Sequence, residues 1–484
     1  MNANLIIKDE VNVKIEGLSR ETRIALVKKF KYILPYARHT PAYKLGRWDG
    51  TVAFFQLGGS TYINLLPQIL PILIDQGYDI TLEDHRTYKI DYEFAKVDEN
   101  SFSHMTWPPG HVHEGKPIIL REHQVETING FFDDTQSIQE VATGAGKTII
   151  TAILSYTCEK YGRTIIVVPN RGLVTQTEED YINMKLDVGV IYGGRKEFGH
   201  KHTICTWQSL NRIIEDHGKG KTEETIEDVI EDVVAVIVDE AHGAKADVLK
   251  SMMVGDFAKI PIRWGMTGTI PKEEFEKQAL ICSIGQVTNE VTAKSLQDKG
   301  ILANCHVNIL QFKDHGDYSN YQSEMKYLTG DIARLEQIGR TVEGISETGN
   351  TLFLVNHIKT GKLLEEMIPN SIFLSGGTKN ADRKEEYDKI RDVNNRTIIA
   401  TYGIAAVGIN IPRIFNLVLF ESGKSFIKVI QSIGRGLRMA EDKDYVEIWD
   451  LCSALKYSKR HLTQRKKFYR DAQYPFTITK VDRD

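Results

Sequence analysis

Residues 140–154 read EVATGAGKTIITAIL, and the fold is read outward from this stretch. A glycine-rich turn ending in Gly144, Ala145, Gly146, Lys147 and Thr148 hands over to an apolar helical run. Such a turn aims free backbone N–H groups and the positive end of a helix dipole at phosphate. In that geometry Thr143 to Thr148 cradle a nucleotide, Lys147 reaches the β- and γ-phosphates, and the Thr148 hydroxyl holds Mg²⁺. One position departs from the phosphate-loop pattern, because Val141 stands where a glycine is expected five residues before Gly146.

Downstream, the apolar run VVAVIVDEAH (233–242) delivers Asp239 and Glu240 at a strand's carboxyl end. Asp239 is expected in the Mg²⁺ shell, while Glu240 orients or deprotonates the attacking water. From Pro117 onward short β-branched runs (TIIVVP, HTICTW, RWGMTGT, then TLFLVN, RTIIATYG, NLVLFE) alternate with helical stretches. Strands without polar alternation are buried on both faces, as in a parallel sheet covered by helices. The rhythm runs once to about residue 300 and again to the end. The expectation is therefore two tandem α/β domains, 117–300 and 301–484, behind a small α+β module at 1–110. The breaker-rich segment SFSHMTWPPGHVHEGKP (101–117) marks the boundary.

DEAH after a GAGKT loop resembles superfamily 2 helicases, and further motifs of that family follow in order. LREHQ (120–124) resembles the adenine-reading motif, with Gln124 facing the base; VVPNRGLVTQ (167–176) and TWQSL (206–210) resemble DNA-contacting motifs, and GMTGT (265–269) resembles motif III. TLFLVNHIKTG (351–361), ATYGIAAVGINIP (400–412) and QSIGRGLR (431–438) are similar to motifs IV, V and VI. The resemblance implies two RecA-like domains that bind ATP and Mg²⁺ and track a strand of DNA. It assigns Gly408 and Asn410 to nucleotide binding and Arg171, Thr206, Gln208, Lys359 and Thr401 to nucleic acid. Gln431, Arg435 and Arg438 join the catalytic set; the two arginines, three apart on one helix face, would offset charge on the transferred phosphoryl group. Thr267-Gly268-Thr269 and Gln431 depart from the pattern of DEAD-box RNA helicases and favour a DNA translocase.

The string YKLGRWDGTVAFF (43–55) resembles the accessory domain of UvsW-type phage recombination helicases. Trp48 is either core packing or an exposed stacking surface, and Arg38, His39, Lys44 and Arg47 form a candidate phosphate patch. The basic stretch LKYSKRHLTQRKKFYRDAQYPF (455–476) resembles the carboxyl ends of the same helicases. It reads equally as a DNA-binding helix or as one docking its aromatics on the second domain. The resemblance implies an ATP-dependent DNA helicase that remodels branched DNA, through fork regression and Holliday-junction branch migration, in phage recombination, replication and repair. Recombination or replication proteins are the partners it implies. An RNA-remodelling helicase and the motor subunit of a restriction complex are the alternatives, and no PD-(D/E)xK nuclease pattern is recognised.

Charge and cysteine content fit this reading once they are located. The net charge is −4, yet residues 1–60 carry ten Lys or Arg against five acids, and residues 456–484 carry nine against three. The acid concentrates elsewhere, notably in residues 215–232 with eight carboxylates against two lysines, expected to be a surface insertion. Five scattered cysteines without a CxxC pair suggest small buried side chains and give no sign of a disulfide framework or zinc site. With no apolar run of about 18–20 residues, no membrane span is expected and the compartment read is the cytoplasm, a host's if phage-encoded.

Overall fold

The computed structural model describes all residues except 35, 88–90, 108–113, 242–245, 379–384, 387–388, 390–392, 406–412 and 424–441. The chain divides into two compact units, 1–141 with 146–290, and 142–145 with 291–484.

The first unit opens with strands β1 (Asn2–Ile7), β2 (Asn12–Glu16), β3 (Lys31–Ile33), β4 (Thr51–Ala53), β5 (Ser60–Tyr62) and β6 (Asp79–Asp84). Four of them form a sheet in the order β5-β2-β1-β6, and β3 pairs with β4 as a separate antiparallel ribbon. Ala3, Leu5 and Ile7 alternate inward along β1, as do Val13 and Ile15 along β2. This period of two buries one face of the sheet and leaves the other polar. Helix Arg20–Lys29 starts where the Ser19 side chain accepts from Thr22 N–H, and Leu26 buries its inner face.

The rest of the unit is built on β7 (Gln136–Val141), β8 (Arg163–Val168), β9 (Val188–Tyr192), β10 (Arg195–Lys196), β11 (His202–Thr206), β12 (Val233–Asp239), β13 (Ile262–Thr267) and β14 (Gln286–Val291). Their order is β10-β9-β11-β8-β12-β13-β7-β14, and the five central strands are parallel to one another. Most residues of β8 and β12 are buried on both faces, which is why they read as unbroken apolar runs.

The amino-terminal module shares its core with this sheet. Phe275, Ala279 and Cys282 of helix Glu274–Ser283 belong to the same apolar cluster as Phe54, Phe55, Leu26 and Ile69. The Lys250 ammonium lies 4.1 Å from the centre of the Phe54 ring. Polar bonds complete the seat, from Asn12 Nδ2 to Val254 O at 2.9 Å and from Gln136 Nε2 to Glu10 O at 2.8 Å. Between module and motor the chain runs as a strap, with Phe94 stacked on Phe132 and Lys96 paired with Asp133.

The second unit holds β15 (Asn304–Phe312), β16 (Thr351–Val355), β17 (Ser371–Leu374), β18 (Thr397–Thr401), β19 (Asn416–Phe420), β20 (Tyr445–Ser453) and β21 (Phe476–Val481). The order β17-β18-β16-β19-β20-β15-β21 is parallel throughout. The two parallel sheets are the pair expected from the sequence. Helix Lys456–Asp471 turns Leu462, Arg465 and Tyr469 inward. Arg465 donates to both Asp450 oxygens, at 2.8 and 2.9 Å, and Tyr469 OH donates to Oδ2 at 2.8 Å. Of the two readings of this helix, Tyr469 takes the docking one, while Lys456, Lys459, Arg460, Lys467 and Arg470 stay exposed.

All five cysteines are buried and free. The acidic stretch folds into the end of helix Trp207–Gly218 and the short helix Ile226–Ile230, with Asp216 paired to Arg212, Glu215 to Lys219 and Glu224 to Lys196. Among the described residues, no helix is long and apolar enough to cross a membrane.

Candidate nucleotide site

In the first unit, Gly146, Lys147, Thr148, Asp239 and Glu240 lie at or near the carboxyl edge of the sheet, where ligands bind in open parallel sheets. Strand β7 ends at Val141, and the chain turns through Gly144 (φ +92°) and Gly146 (φ +89°) into helix Lys147–Cys158. Both glycines occupy the left-handed region, which side-chain-bearing residues enter only with strain. Gly146 is the N-cap and has no side chain to close the helix end, so the first-turn N–H groups are left for a ligand. A Cβ at residue 146 would lie 2.5 Å from Gln124 Nε2. Gln124 is therefore packed against the loop, its Oε1 accepting from Arg121 N–H at 3.0 Å in the cap of helix Glu122–Asp133.

Strand β12 brings Asp239 and Glu240 opposite the loop. Lys147 Nζ pairs with Glu240 Oε1 and lies 4.0 Å from Asp239 Oδ1, all three side chains being mostly buried. Glu240 holds a left-handed backbone (φ +50°), rare for a residue with a side chain and costing roughly 1–3 kcal/mol where surroundings enforce it. Those surroundings are visible. Glu240 N–H donates to Asp239 Oδ1 at 2.9 Å, and Glu240 Oε2 accepts from Gly268 N–H at 3.3 Å. Gly268 is presented by a closed turn in which Thr267 Oγ1 donates to Thr269 O at 2.9 Å and accepts from Thr269 N–H at 3.2 Å. The threonines of TGT thus shape the loop that touches the carboxylate, a contact that the spacing of the sequence does not reveal.

Behind the site, the buried Arg263 donates to Met253 O, Phe257 O, Ile260 O and Ser283 O. Burial pulls its guanidinium down to about 9. These bonds fasten the strand carrying Thr267 to the helices that seat the amino-terminal module.

Three of the expected nucleic-acid residues, Arg171, Thr206 and Gln208, lie at another part of the same edge. Strands β8 and β11 are parallel neighbours, with Val168 opposite Thr206. Arg171 opens helix Arg171–Asn183 and is exposed, as is Gln208. Thr206 is buried and caps helix Trp207–Gly218, its Oγ1 accepting from Ser209 N–H at 3.3 Å. In the second unit, Lys359 lies in the first turn of helix Ile358–Met367, after β16, and Thr401 ends the adjacent β18. In the module, Arg47 is exposed, whereas Trp48 is half-buried against the core and donates from Nε1 to Thr51 O at 2.9 Å. Gly408, Asn410, Gln431, Arg435 and Arg438 lie outside the described residues.

A glycine loop, an uncapped helix end with its lysine, and a strand-end Asp-Glu pair on a parallel sheet define a phosphate-loop nucleoside triphosphatase. Residues 117–272 match the family model described as type III restriction enzyme, res subunit, and residues 333–440 match the helicase conserved C-terminal domain. The ATP-dependent DNA helicase uvsW of Enterobacteria phage T4 is 22% identical over 453 residues, covering 89% of this chain and 87% of that protein. A putative DNA 3'-5' helicase Rad25 of Haloarcula marismortui is 24% identical over 337 residues, covering 67% of this chain and 51% of its own. Among solved structures, a fragment of a putative HsdR subunit of a type I restriction enzyme from Vibrio vulnificus aligns with a TM-score of 0.57 at 15% identity, covering 98% of this chain and 85% of that one, which shows a shared fold. The chain is an ATP-dependent helicase built on two RecA-like domains, and it is similar to the UvsW-type helicases of superfamily 2.

Proposed function

We propose that this helicase is a DNA-stimulated motor that remodels branched DNA, regressing forks and migrating Holliday junctions in recombination, replication and repair. What carries the proposal is the extent of the likeness to the phage T4 DNA helicase, which spans 89% of this chain. The ATP roles follow from the site. The loop from Thr143 to Thr148 binds the phosphates, Lys147 leaves Glu240 for the β- and γ-phosphates, and Glu240 is then free to orient the attacking water.

Hard oxygen donors, the Thr148 hydroxyl and the Asp239 carboxylate, suit Mg²⁺ bound together with phosphate oxygens. The ion would supply charge neutralisation on the transferred phosphoryl group. Arg435 and Arg438 with Gln431 are proposed to complete that neutralisation, and Gln124 with Gly408 and Asn410 to hold the nucleotide. Domain limits of 1–110, 117–300 and 301–484 are proposed, with Arg171, Thr206, Gln208, Lys359 and Thr401 along the DNA path.

Because the motor is also similar in fold to restriction subunits, a restriction-type motor is the second reading. The test is steady-state ATP hydrolysis with a four-way junction, linear duplex, single-stranded DNA and RNA, alongside a nuclease assay. Strongest stimulation by the junction supports remodelling. Strongest stimulation by RNA, or cleavage of duplex, overturns it in favour of an RNA helicase or a restriction motor respectively.

A further inference from the structure

Strand β19 ends at Phe420, and Glu421, Ser422 and Gly423 then lead directly into the stretch 424–441 that carries Gln431, Arg435 and Arg438. This exit is fastened at both ends. Glu421 N–H donates to Leu451 O at 3.1 Å, and Glu421 O accepts from Asn356 Nδ2 at 2.7 Å. Both Glu421 carboxylate oxygens are taken, one by Arg334 Nη2 and the other by Ser458 Oγ, each at 2.8 Å. Gly423 O accepts from Arg465 Nη1 at 2.8 Å. Glu421 (φ +43°) and Gly423 (φ +72°) are both left-handed, so the strand cannot continue and the chain leaves it here. A Cβ at residue 423 would meet nothing within 4 Å, so glycine serves there for its conformation and not for room.

Two of these bonds come from one helix. Ser458 and Arg465 are both buried along helix Lys456–Asp471 and share its inner face. Arg465 divides its guanidinium between two tasks: Nε and Nη2 donate to the two oxygens of Asp450, at 2.8 and 2.9 Å, and Nη1 reaches Gly423. Asp450 stands on β20 opposite Leu419 of β19, so one side chain ties the neighbouring strand to the exit. Arg465 and Asp450 are 1% and 0% exposed. Stability alone does not call for such a pair, since apolar residues of similar volume often replace a buried ion pair without loss. An apolar residue cannot hold a carbonyl at a set distance from the next strand, whereas the planar fork of arginine can.

We propose that Arg465 is a positioning residue for ATP hydrolysis: by holding the Gly423 carbonyl against Asp450, it fixes the direction in which the stretch bearing Arg435 and Arg438 leaves β19. The inference rests on the role proposed above for those two arginines. A cation offsets charge on the transferred phosphoryl group only if it is held in place, and a misplacement of about 1 Å can cost roughly a hundredfold in rate. Arg465 acts through this stretch and not on the nucleotide.

The experiment is steady-state ATP hydrolysis by the full chain, with kcat and KM separated. A lysine side chain has one nitrogen where the fork has three, and cannot serve Asp450 and Gly423 together. Arg465→Lys is expected to lower kcat about tenfold or more, with ADP affinity unchanged. Tyr469→Phe removes a second bond to Asp450 and leaves the Gly423 contact, so it lowers thermal stability while kcat falls less than about twofold. Gly423→Ala strains the exit without touching the buried pair; it should lower kcat with the same split, and decides the matter if Arg465→Lys does not fold. Added to Arg435→Ala with Arg438→Ala, Arg465→Lys should cost nothing further, because the stretch it positions has lost its cations. Unchanged kcat in Arg465→Lys, a full further loss in the combined variant, or equal kcat losses in Arg465→Lys and Tyr469→Phe overturns the positioning role. Undiminished hydrolysis in Arg435→Ala with Arg438→Ala overturns instead the role of the two arginines.

Discussion

Two glutamates, Glu240 and Glu421, follow the ends of parallel strands in left-handed backbone, at φ +50° and +43°, and each faces a buried cation. In the first unit the partner is Lys147, which follows a glycine loop at the uncapped start of a helix. Glu421 meets Arg334 at 2.8 Å, Arg334 also holds Asp314 at 3.1 Å, and Ser458 Oγ donates to the second Glu421 oxygen at 2.8 Å. Nearby, Glu324 caps the helix that begins at Lys456, accepting from Tyr457 and Ser458 N–H. Burial pushes the Glu421 carboxyl up, and Arg334 pulls it back. A strand-end carboxylate in strained backbone is therefore no mark of catalysis in itself. What separates the two is whether the cation can leave: the lysine stands at an uncapped helix end and is proposed to move to a nucleotide, while the arginine is enclosed by its own unit.

Substitution of the two cations should break this symmetry. Lys147→Ala is expected to lower ATP hydrolysis by about a thousandfold or more, because the charge developing on the phosphoryl group loses its fixed partner, with thermal stability nearly unchanged. Glu240→Gln should lower kcat by about 10²–10⁴-fold while nucleotide binding persists. Normal turnover in either variant would remove the site assignment. Arg334→Met does the reverse. It strands Asp314 and Glu421 without their main cation and is expected to cost roughly 3–5 kcal/mol in denaturant titrations, leaving nucleotide affinity of the first unit unaltered.

A third carboxylate sharpens the contrast. Asp180, on helix Arg171–Asn183, has no cationic partner among the described residues, and burial with the neighbouring Glu179 lifts it to about 7. Its folded value lies above the unfolded one near 3.8, so the fold binds an extra proton in between. Its contribution to stability is then present below about pH 4 and lost as pH rises to about 7. Asp180→Asn should stabilise the protein by about 2 kcal/mol at pH 8, with no gain at pH 4. Thermal melts at the two pH values would show it, and equal melts at pH 8 would mean that the carboxyl is relieved by a contact in solution.

The smallest effect concerns the seat of the module. Lys250→Ala removes a cation over Phe54 and is expected to cost about 1 kcal/mol, whereas Phe275→Ala opens the shared core and should cost about 3 kcal/mol or more. If Phe275→Ala left stability unchanged, the module would be a tethered appendage.

The two parallel sheets and the glycine turn into its helix were legible in the sequence because their signals are local. Unbroken β-branched runs state that a strand is covered on both faces, and GAGKT followed by an apolar helix states how backbone N–H groups are aimed. DEAH at a strand end likewise places its carboxylates without reference to the rest of the chain. Other features depend on partners distant in sequence. Gly268 meets Glu240 across 28 residues, and nothing at either position announces the other. The module read as separate because its breaker-rich boundary is a local signal, while Phe54 and Phe275, which join it to the motor, are simply apolar residues until packed. Trp48 shows the same limit: the sequence left it as core packing or an exposed stacking surface, and only the fold shows it half-buried against the core. Local chemistry thus determined the class of motor and pointed to its candidate ATP site, and tertiary packing decided which carboxylate is enclosed with its cation and which stands beside an open helix end, because burial is a property of the assembled fold.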